Sequence, residues 1–560
     1  MSDHVQSAGL LADARTWRDQ DPDAVTRAEL DGLISATEAD DPAAAAALTD
    51  RFSARLEFGT AGLRGELGAG PRRMNRVLVT QAAAGLAAYL LEREPSPSIV
   101  IGYDGRRNSE VFARDTATIM AGAGVTTTLL PRHLPTPVLA FAVRHLRTSA
   151  GVMVTASHNP ANDNGYKVYL GGADHGSQIV PPADGLIAAD IALVSTVSID
   201  ELPRSTDFIV ADDSVMLEYV RQTATVGHPA APLTFVYSAM HGVGWETAQL
   251  VFEAAGFGTP EVVTEQIEPD AAFPTVAFPN PEEPGAMDLT FARAAEVGAD
   301  LAIVNDPDAD RLAVAVPGRD GSWRRLSGNE VGCLLGWRAA ERATAGRATD
   351  RGTLAASIVS SPALRAIAAE YRLGYEDTLT GFKWISRADN LIFGFEEALG
   401  YLVDPQIIRD KDGISAAVDF LALASELKAD GRTIDDHFDS FAERFGAYAS
   451  SQVSLRFDDL SQISGTMTTL RSNLPARVGS IAVDRIDDFI DGFEQYPPGD
   501  ILRIHLESGS RVIVRPSGTE PKLKIYIDAS STEGDAGERR AAAGAVVAEL
   551  EAGMRALLAV

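Results

Sequence analysis

The stretch GVMVTASHNP, residues 151–160, joins an apolar run of strand type to a polar turn. The Val-Met-Val run is typical of a buried strand, and the Asn-Pro pair is a strong turn signal. Ser157 and His158 stand where the strand should end. A serine at this position suits a hydrolase nucleophile, a phosphate carrier or a plain turn. The other motifs of the chain decide among these three interpretations.

The overall composition is that of a globular protein with several domains. The chain has 560 residues, which is too long for one hydrophobic core, and it is 45% hydrophobic and 23% charged. Its net charge of −29 leaves few cations to neutralise phosphates, so general nucleic-acid binding is disfavoured. Cys333 is the single cysteine, and its helix-like surroundings predict a buried structural thiol. Because no basic-apolar leader and no apolar run of about 20 residues is visible, we predict a cytoplasmic protein without a membrane partner.

Strand-like runs recur along the chain with alanine-rich, helix-like stretches between them. They occupy residues 97–104, 150–157, 233–240, 299–306, 352–360 and 390–397. Such alternation predicts α/β layers, preceded by a mainly helical segment up to about residue 55. Residues 500–529 instead alternate with period two, as antiparallel strands do, and a helix is expected over about 533–558. The end of the chain is therefore predicted to be an α+β domain.

The motif NDPDADR, residues 305–311, places three carboxylates directly after a strand-like run. Asp306, Asp308 and Asp310 repel one another unless a cation compensates them, and oxygen-only ligands favour Mg²⁺. An EF-hand is disfavoured because glycine is missing after the third acid and Pro317 stands where the closing glutamate belongs. The alternative is an acidic turn that faces solvent.

The motif RPSGTEPKLKIY, residues 515–526, also follows a strand-like run. Arg515, two hydroxyls and a flexible glycine can form a nest for a phosphate dianion, although an isolated Ser-Gly-Thr is usually only a turn. The chain lacks a P-loop pattern, so nucleotide hydrolysis is disfavoured.

Five further motifs carry groups with an open interpretation. The motifs TLTGFKWI (378–385) and FGFEEALGY (393–401) form a pair. Glu396, in the second of them, can accept hydrogen bonds from sugar hydroxyls or can simply be solvated. Arg64 in GTAGLRG (59–65) and Lys411 in RDKDG (409–413) are cations that suit a site or the surface equally well. His241 in SAMHGVGW is either a site residue or a structural turn residue.

The few lysines are placed unevenly. They stand at positions 167, 383, 411, 428, 522 and 524. All except Lys428 lie within or beside the motifs above, and a compact ammonium suits phosphate contact and proton transfer. Their placement supports an anionic ligand.

These motifs favour a phosphate carrier at Ser157. The surrounding sequence is not a G-x-S-x-G elbow, and His158, as the adjacent residue, is expected to point elsewhere and to be a poor base for it. A serine near a magnesium site and a phosphate nest is better interpreted as a phosphoryl carrier. Two rival hypotheses are a phosphatase that uses Asp306 as nucleophile and a non-catalytic protein that binds sugar phosphates.

In this order and spacing, TASHNP, DPDADR, FEEALG and RPSGTEP resemble the motifs of the α-D-phosphohexomutase superfamily. The motifs GTAGLRG, ASHNPANDNGYKVY and TLTGFKWI are most similar to its phosphoglucomutase-2-like branch, and the resemblance extends from about residue 12 to the C-terminus. It implies an α/β protein with three related α/β domains and a C-terminal α+β domain around a central cleft. The domain limits that we predict are 1–222, 223–327, 328–452 and 453–560.

The resemblance also implies roles for individual residues. Ser157 is expected to be the phosphoserine and to bind Mg²⁺ together with Asp306, Asp308 and Asp310. The other catalytic residues that it implies are Lys167, Arg64 and His158. The expected substrate-binding residues are Arg311, Thr380, Gly381, Lys383, Glu396, Lys411, Arg515, Ser517, Gly518 and Thr519. Ala398 departs from the Glu-x-Ser pattern of many members, which removes one hydroxyl from the sugar-binding loop.

The activity that the resemblance implies is an intramolecular phosphotransferase. An enzyme with phosphorylated Ser157 is expected to interconvert hexose 1-phosphate and hexose 6-phosphate through a 1,6-bisphosphate intermediate. The expected sugar is glucose, with mannose as a further possibility. Glucose 1,6-bisphosphate is the expected activator, small sugar phosphates are the expected partners, and the chain is expected to be a monomer or homodimer. The alternative is a phosphopentomutase or sugar-bisphosphate synthase on the same scaffold.

Overall fold

A computed structural model describes residues 2–60, 62–345, 352–457, 460–517 and 522–558. The helices are α1 (Ser2–Gln20), α2 (Ala24–Glu38), α3 (Pro42–Phe52), α4 (Arg76–Arg93), α5 (Ser109–Gly122), α6 (Thr136–His145), α7 (Ala183–Val194), α8 (Ser214–Thr223), α9 (Gly244–Ala255), α10 (Asp288–Val297), α11 (Gly328–Thr344), α12 (Ala363–Tyr371), α13 (Phe382–Ile385), α14 (Gly413–Ala429), α15 (Ile434–Phe445), α16 (Leu460–Ser472) and α17 (Ala536–Leu557).

The strands of the described residues alternate with these helices as far as residue 402 and then cluster near the C-terminus. They are β1 (Leu63–Glu66), β2 (Ser98–Tyr103), β3 (Thr126–Leu129), β4 (Ala150–Val154), β5 (Asp163–Leu170), β6 (Ser177–Gln178), β7 (Ile209–Val210), β8 (Phe235–Ser238), β9 (Glu261–Val262), β10 (Leu301–Asn305), β11 (Leu312–Pro317), β12 (Trp323–Arg325), β13 (Thr353–Ser357), β14 (Gly374–Thr378), β15 (Leu391–Glu396), β16 (Gly400–Leu402), β17 (Ala447–Arg456), β18 (Arg477–Val478), β19 (Ile481–Asp488), β20 (Leu502–Leu506), β21 (Arg511–Pro516) and β22 (Lys522–Ser531).

The chain forms two compact units. The first runs to Leu326 and also includes Gly400–Ala422, whereas the second comprises Ser327–Leu399 and resumes at Leu423. The chain thus leaves the first unit, returns to it for one short segment, and leaves again. The returning segment carries Lys411.

The first unit contains two sheets. In one, the strand order is β1-β5-β4-β2-β3-β7, with β2, β3, β4 and β7 parallel and with β5 and β1 antiparallel. In the other, the order is β12-β11-β10-β8-β9, with β8, β9 and β10 parallel. The predicted strands at 97–104, 150–157, 233–240 and 299–306 are confirmed, each slightly shorter than its apolar run.

The helical N-terminal segment is also confirmed. Helices α1, α2 and α3 share a small core that includes Trp17, Leu30 and Leu48. The side chains of Asp23 and Asp41 cap α2 and α3 by accepting a hydrogen bond from the backbone amide two residues later. Each helix therefore begins at an aspartate that satisfies one of its unpaired amides.

The second unit joins a parallel sheet to an antiparallel one. Strand β13 pairs in parallel with β14 and β15, and a six-stranded sheet has the order β17-β22-β21-β20-β19-β18. The pairings of this second sheet are antiparallel, and α17 packs on β17 and β22. The predicted α+β end of the chain is confirmed, and so is the buried Cys333 in α11.

The antiparallel strands of the first unit were not predicted from the sequence. Strands β1 and β5 hold Arg64 and Lys167, and their residues lack a long apolar run. Within the described part of the chain, no helix is both long and apolar enough to span a membrane.

Candidate active site

Ser157 lies in a tight turn after β4, and the turn is held by its own polar groups. Its φ of 51° is in the left-handed region, which is unusual for a residue with a Cβ atom. Its backbone N–H donates to Thr155 Oγ1 at 2.9 Å, and the residue is only 2% exposed. The buried hydroxyl donates a hydrogen bond to Asp306 Oδ2 at 2.8 Å. The structure therefore brings the serine motif and the aspartate motif together.

The expectation that His158 points away from Ser157 was wrong. His158 Nδ1 lies 3.2 Å from Ser157 Oγ, because the left-handed backbone at Ser157 turns both side chains toward the same side. Burial and the nearby Arg311 and Arg64 hold the pKa of His158 well below its usual value. The imidazole is therefore neutral at pH 7, and its Nδ1 can donate to the serine oxygen, whose own hydrogen is donated to Asp306.

Asp306, Asp308 and Asp310 form one buried cluster after β10. One oxygen from each lies within 4.8 Å of the others. A residue of α6, Thr136, stabilises the turn that carries these aspartates, because its hydroxyl donates to Asp308 Oδ2 at 2.7 Å. Within the turn itself, the backbone amide of Arg311 donates to Asp306 Oδ1 at 3.0 Å.

The donor set of this cluster fits Mg²⁺. Asp308 Oδ1 and Asp310 Oδ1 are buried and have no hydrogen-bond partner among the described residues, so both oxygens are available to a cation. Burial and the charges of Asp308 and Asp310 raise the pKa of Asp306 well above its usual value. A divalent cation with oxygen ligands would relieve this repulsion.

Two lysines neutralise the far side of the cluster. Lys167 Nζ donates to Asp308 Oδ2 and Asp310 Oδ2, both at 2.8 Å, and Lys411 Nζ lies 2.8 Å from Asp310 Oδ2. Although burial raises the pKa of Asp310, the two ammonium groups hold it well below its usual value. Asp410 lies 3.6 Å from Lys411 Nζ and accepts a hydrogen bond from Tyr169 at 2.9 Å. Lys411 is therefore a buried part of the site and not a surface charge.

Arg64 and Arg311 add positive charge to the same region. Arg64 lies on β1, opposite Gly165 of β5, two residues before Lys167. Burial lowers the pKa of Arg64, and the charge of Asp308 partly opposes this effect. Arg311 Nε lies 3.9 Å from Asp310 Oδ1. The region beside Ser157 thus combines an acidic cluster with arginines suited to an anion.

In the second unit, the two predicted loops that bear Thr380 and Arg515 meet. Arg515 Nη1 donates to Thr380 Oγ1 at 2.8 Å, and Gly381 has a φ of 108° that suits glycine. Lys383 lies two residues further on, in α13. The amide of Ser517 donates to the Lys522 carbonyl at 2.8 Å. Gly518 and Thr519 lie outside the described residues.

Glu396 is the last residue of β15, and its neighbour Glu397 has a separate set of contacts. Glu397 Oε2 accepts hydrogen bonds from Ser357 Oγ and Ser360 Oγ, both at 3.1 Å. The Glu397 amide donates to Ser360 Oγ at 3.0 Å. The sequence drew attention to Glu396 alone, whereas the Glu397 side chain also connects this loop to the end of β13.

His241 is a structural turn residue. Its Nε2 atom lies 2.8 Å from Thr275 Oγ1, and its amide donates to the Gln266 carbonyl. This turn approaches the loop that contains the three aspartates, because the Val243 amide donates to the Pro307 carbonyl at 2.8 Å and a Cβ atom at Gly242 would lie 2.3 Å from the backbone of Pro307.

Sequence reasoning missed Thr136. It also missed Arg106, which donates to the Ser157 carbonyl at 2.5 Å, and Asp104, which lies 3.4 Å from Arg106. Thr136 begins α6 and gives no sequence signal for its contact with a residue 172 positions away. Asp104 and Arg106 follow β2 directly, and charged residues at the end of a buried strand were the available signal.

The fold and the site together define a phosphomutase, that is, an intramolecular phosphotransferase. Four family models match in order: the phosphoglucomutase/phosphomannomutase alpha/beta/alpha domains I (residues 55–195), II (217–319) and III (327–445) and the C-terminal domain (465–544). The chain belongs to the phosphoglucomutase/phosphomannomutase family. The predicted architecture of three α/β domains and a C-terminal domain is confirmed, whereas the individual domain limits stay predictions.

Individual relatives agree with this family. The chain is 54% identical over 486 residues to a probable phosphomannomutase of Haemophilus influenzae, which covers 87% of this chain and 98% of that protein. It is 34% identical over 591 residues to a phosphopentomutase of Mus musculus, which covers 95% and 93% of the two chains. The structure of a putative phosphomannomutase from Thermus thermophilus matches 90% of this chain and 100% of its own with a TM-score of 0.69. Because that protein is only 23% identical, the match concerns the fold alone.

Proposed function

We propose that the protein interconverts hexose 1-phosphate and hexose 6-phosphate through a phosphorylated Ser157. The observation that carries this proposal is the 2.8 Å hydrogen bond from Ser157 Oγ to Asp306, within the buried aspartate cluster. A hydroxyl at this point is buried, oriented and adjacent to cation ligands. These are the conditions that a phosphoryl carrier needs.

In the first half of the reaction, the phosphorus–oxygen bond to Ser157 breaks and a bond to the free sugar hydroxyl forms. The hydroxyl proton leaves the sugar and ends on Ser157 Oγ, and we assign its transfer to Lys167. This assignment rests on the position of Lys167, whose Nζ atom is buried and lies 2.8 Å from two of the aspartates. The second half reverses these steps with the other phosphate of the 1,6-bisphosphate.

Ser157, Asp306, Asp308 and Asp310 are the residues that would hold Mg²⁺. When bound, the ion supplies charge compensation for the transferring phosphoryl group. Arg64 and Arg311 lie close enough to the cluster to attract the same anion. His158 can orient the serine oxygen through its 3.2 Å contact.

Residues of the second unit are proposed to bind the sugar and the phosphate that does not react. Glu396, at the end of β15, is assigned to two neighbouring sugar hydroxyls, so that it can serve the substrate in both orientations. The other residues of this unit assigned to substrate are Thr380, Gly381, Lys383, Arg515, Ser517, Gly518 and Thr519. Lys411, which belongs to the first unit, is assigned to substrate as well. The direct bond between Arg515 and Thr380 supports a joint role for their two loops.

Glucose 1,6-bisphosphate is the proposed activator. If the bisphosphate intermediate escapes, Ser157 is left without its phosphate, and added bisphosphate can restore it. Small sugar phosphates are the proposed ligands. A cytoplasmic location and a monomeric or dimeric state stay predictions from the sequence.

A phosphopentomutase is the second candidate. It is supported by the 34% identity to a protein of that name and by Ala398, which lacks the hydroxyl that many family members place in the sugar loop. The higher identity to a probable phosphomannomutase favours the hexose substrate.

A coupled assay of glucose 1-phosphate conversion tests the proposal. It contains Mg²⁺ and a trace of glucose 1,6-bisphosphate, and it compares the wild type with Ser157→Ala and with the control Ser149→Ala at the opposite end of β4. We expect activity in the wild type and the control and none in Ser157→Ala. Equal activity in all three would overturn the phosphoserine mechanism, and activity with ribose 1-phosphate alone would favour the pentose candidate.

A further inference from the structure

The segment DGRR, residues 104–107, directly follows β2 and contains two adjacent arginines with opposite environments. Arg106 is only 5% exposed, whereas Arg107 is exposed. A fully charged guanidinium is seldom buried unless its N–H groups have partners. The partners of Arg106 identify what it does.

Those partners are four backbone carbonyls of the segment that carries Ser157. Arg106 Nη2 donates to the carbonyl of Ser157 at 2.5 Å and to that of Asn159 at 2.7 Å. Arg106 Nη1 donates to the carbonyls of Pro160 at 2.8 Å and Asp163 at 3.2 Å. One planar group therefore donates to four carbonyls of this segment, of which the Pro160 carbonyl also accepts from the Asp163 amide at 3.0 Å. A buried carbonyl without a donor is costly, so the contacts to the other carbonyls are the ones that the turn itself does not supply.

The guanidinium is itself held on two further sides. Asp104 Oδ2 lies 3.4 Å from Arg106 Nε, and Asp104 Oδ1 accepts hydrogen bonds from the Arg106 amide and from Ser109 Oγ at 2.6 Å. The ring of Phe273 lies against the guanidinium, with its centroid 5.0 Å from Cζ. Arg106 is thus held in place by its own neighbours while its guanidinium binds the backbone of the Ser157 turn.

The Ser157 turn needs these contacts because its backbone conformation is unfavourable by itself. Ser157 has a positive φ, and that backbone is what directs its hydroxyl to Asp306 and sets it beside His158. A relaxed turn would move the hydroxyl away from both groups. Strained backbone of this kind persists only when its surroundings over-determine it.

We propose that Arg106, held by Asp104, is a positioning residue that fixes the Ser157 turn for phosphoryl transfer without contacting substrate. This inference rests on the proposed function of Ser157. Its charge also adds to the positive field around the serine, since Arg106 lies near Asp306 and His158. The guanidinium acts through the backbone carbonyls that it binds. Its loss should therefore lower kcat more than it raises KM.

The test compares Arg106→Lys with Arg107→Lys, its exposed neighbour. Lysine keeps the charge but lacks the planar fork, so it cannot reach four carbonyls at once. Each variant is assayed for kcat and KM with glucose 1-phosphate, for the rate at which glucose 1,6-bisphosphate phosphorylates Ser157, followed by intact mass, and for the thermal unfolding midpoint.

We expect Arg106→Lys to lower kcat and the phosphorylation rate about 100-fold while KM changes by less than about threefold. Arg107→Lys should match the wild type. A folded Arg106→Lys enzyme with kcat within twofold of the wild type would overturn the inference. If Arg106→Lys does not fold, Asp104→Asn is measured instead; a tenfold loss of kcat supports the inference, and unchanged kcat overturns it. A wild type that neither carries phosphate on Ser157 nor converts the sugar would overturn the proposed function itself.

Discussion

The hydroxyl of Ser157 donates a 2.8 Å hydrogen bond to Asp306, a residue 149 positions further along the chain. The two residues follow β4 and β10, which belong to different sheets of the first unit. Each strand ends in a turn with a residue of positive φ, Ser157 in one and Ala309 in the other. The contact therefore joins two strained turns. The proposed phosphoryl transfer takes place where these turns meet.

Replacing Asp306 should weaken the binding of Mg²⁺ at the proposed site. In Asp306→Asn one of the three carboxylates is lost, so we expect the Mg²⁺ concentration for half-maximal activity to rise at least about tenfold. Titration of Mg²⁺ into chelator-treated enzyme measures this directly. The exposed Asp320 provides the control, and Asp320→Asn should behave as the wild type. An unchanged Mg²⁺ requirement in Asp306→Asn would rule out this aspartate as a ligand.

Lys167→Met should act on the proton-transfer step. Methionine keeps much of the side-chain volume but removes the ammonium that lies 2.8 Å from Asp308 and Asp310. We expect kcat to fall by about 10²- to 10⁴-fold with a smaller change in KM. Steady-state assays of Lys167→Met and of Lys428→Met, a variant of an exposed lysine, provide the comparison. If Lys167→Met turns over within a few-fold of the wild type, Lys167 has another role.

Glu397→Ala should loosen the loop after β15, which is proposed to bind the sugar. The substitution removes the carboxylate that accepts hydrogen bonds from Ser357 and Ser360, and the adjacent Glu396 loses its fixed backbone. We expect KM for the sugar phosphate to rise roughly tenfold, which corresponds to about one hydrogen bond to a charged group. Glu370→Ala, at an exposed position in α12, is the matched control. Equal KM values for the two variants would contradict this account of Glu397.

Asp412 should make stability depend on pH. It is buried before α14, where its Oδ1 atom accepts from the amides of Ile414 and Ser415, and burial raises its pKa from 3.8 to about 6. The folded state therefore holds the proton more tightly than the unfolded chain, and this stabilisation is lost as pH rises through about 6. Between pH 5 and 7.5 the loss is about 1.4 kcal/mol.

Urea unfolding of the wild type and Asp412→Asn at pH 5 and 7.5 measures this effect. The stability of the wild type relative to the variant should be greater at pH 5, because asparagine does not titrate. Asp430→Asn, at an exposed position beyond α14, should show no such change relative to the wild type. A difference between wild type and Asp412→Asn that stays constant with pH would show that Asp412 does not titrate in this range.

The buried parallel strands and the residue types at their ends were predictable from the sequence because both are local, whereas the antiparallel β1 and β5 were not. The apolar runs before Ser157 and Asp306 indicated where the strands end, and three alternating aspartates indicated a cation site. The burial of Lys411 was not predictable, because it depends on Gly400–Ala422 returning to the first unit. The orientation of His158 depends on a single backbone angle that no residue pattern shows. Arg106 was missed since its partners are backbone carbonyls, which are the same in every sequence.

The most direct test of the central claim follows one phosphoryl group. The enzyme is incubated with glucose 1,6-bisphosphate labelled with ³²P, freed of ligand, and digested for peptide mapping; a second portion is mixed with unlabelled glucose 1-phosphate and quenched over time. The account predicts label on the peptide that contains Ser157 and its transfer to the sugar at least as fast as kcat. Label on the peptide that contains Asp306, or label on Ser157 that the sugar does not remove, would contradict it.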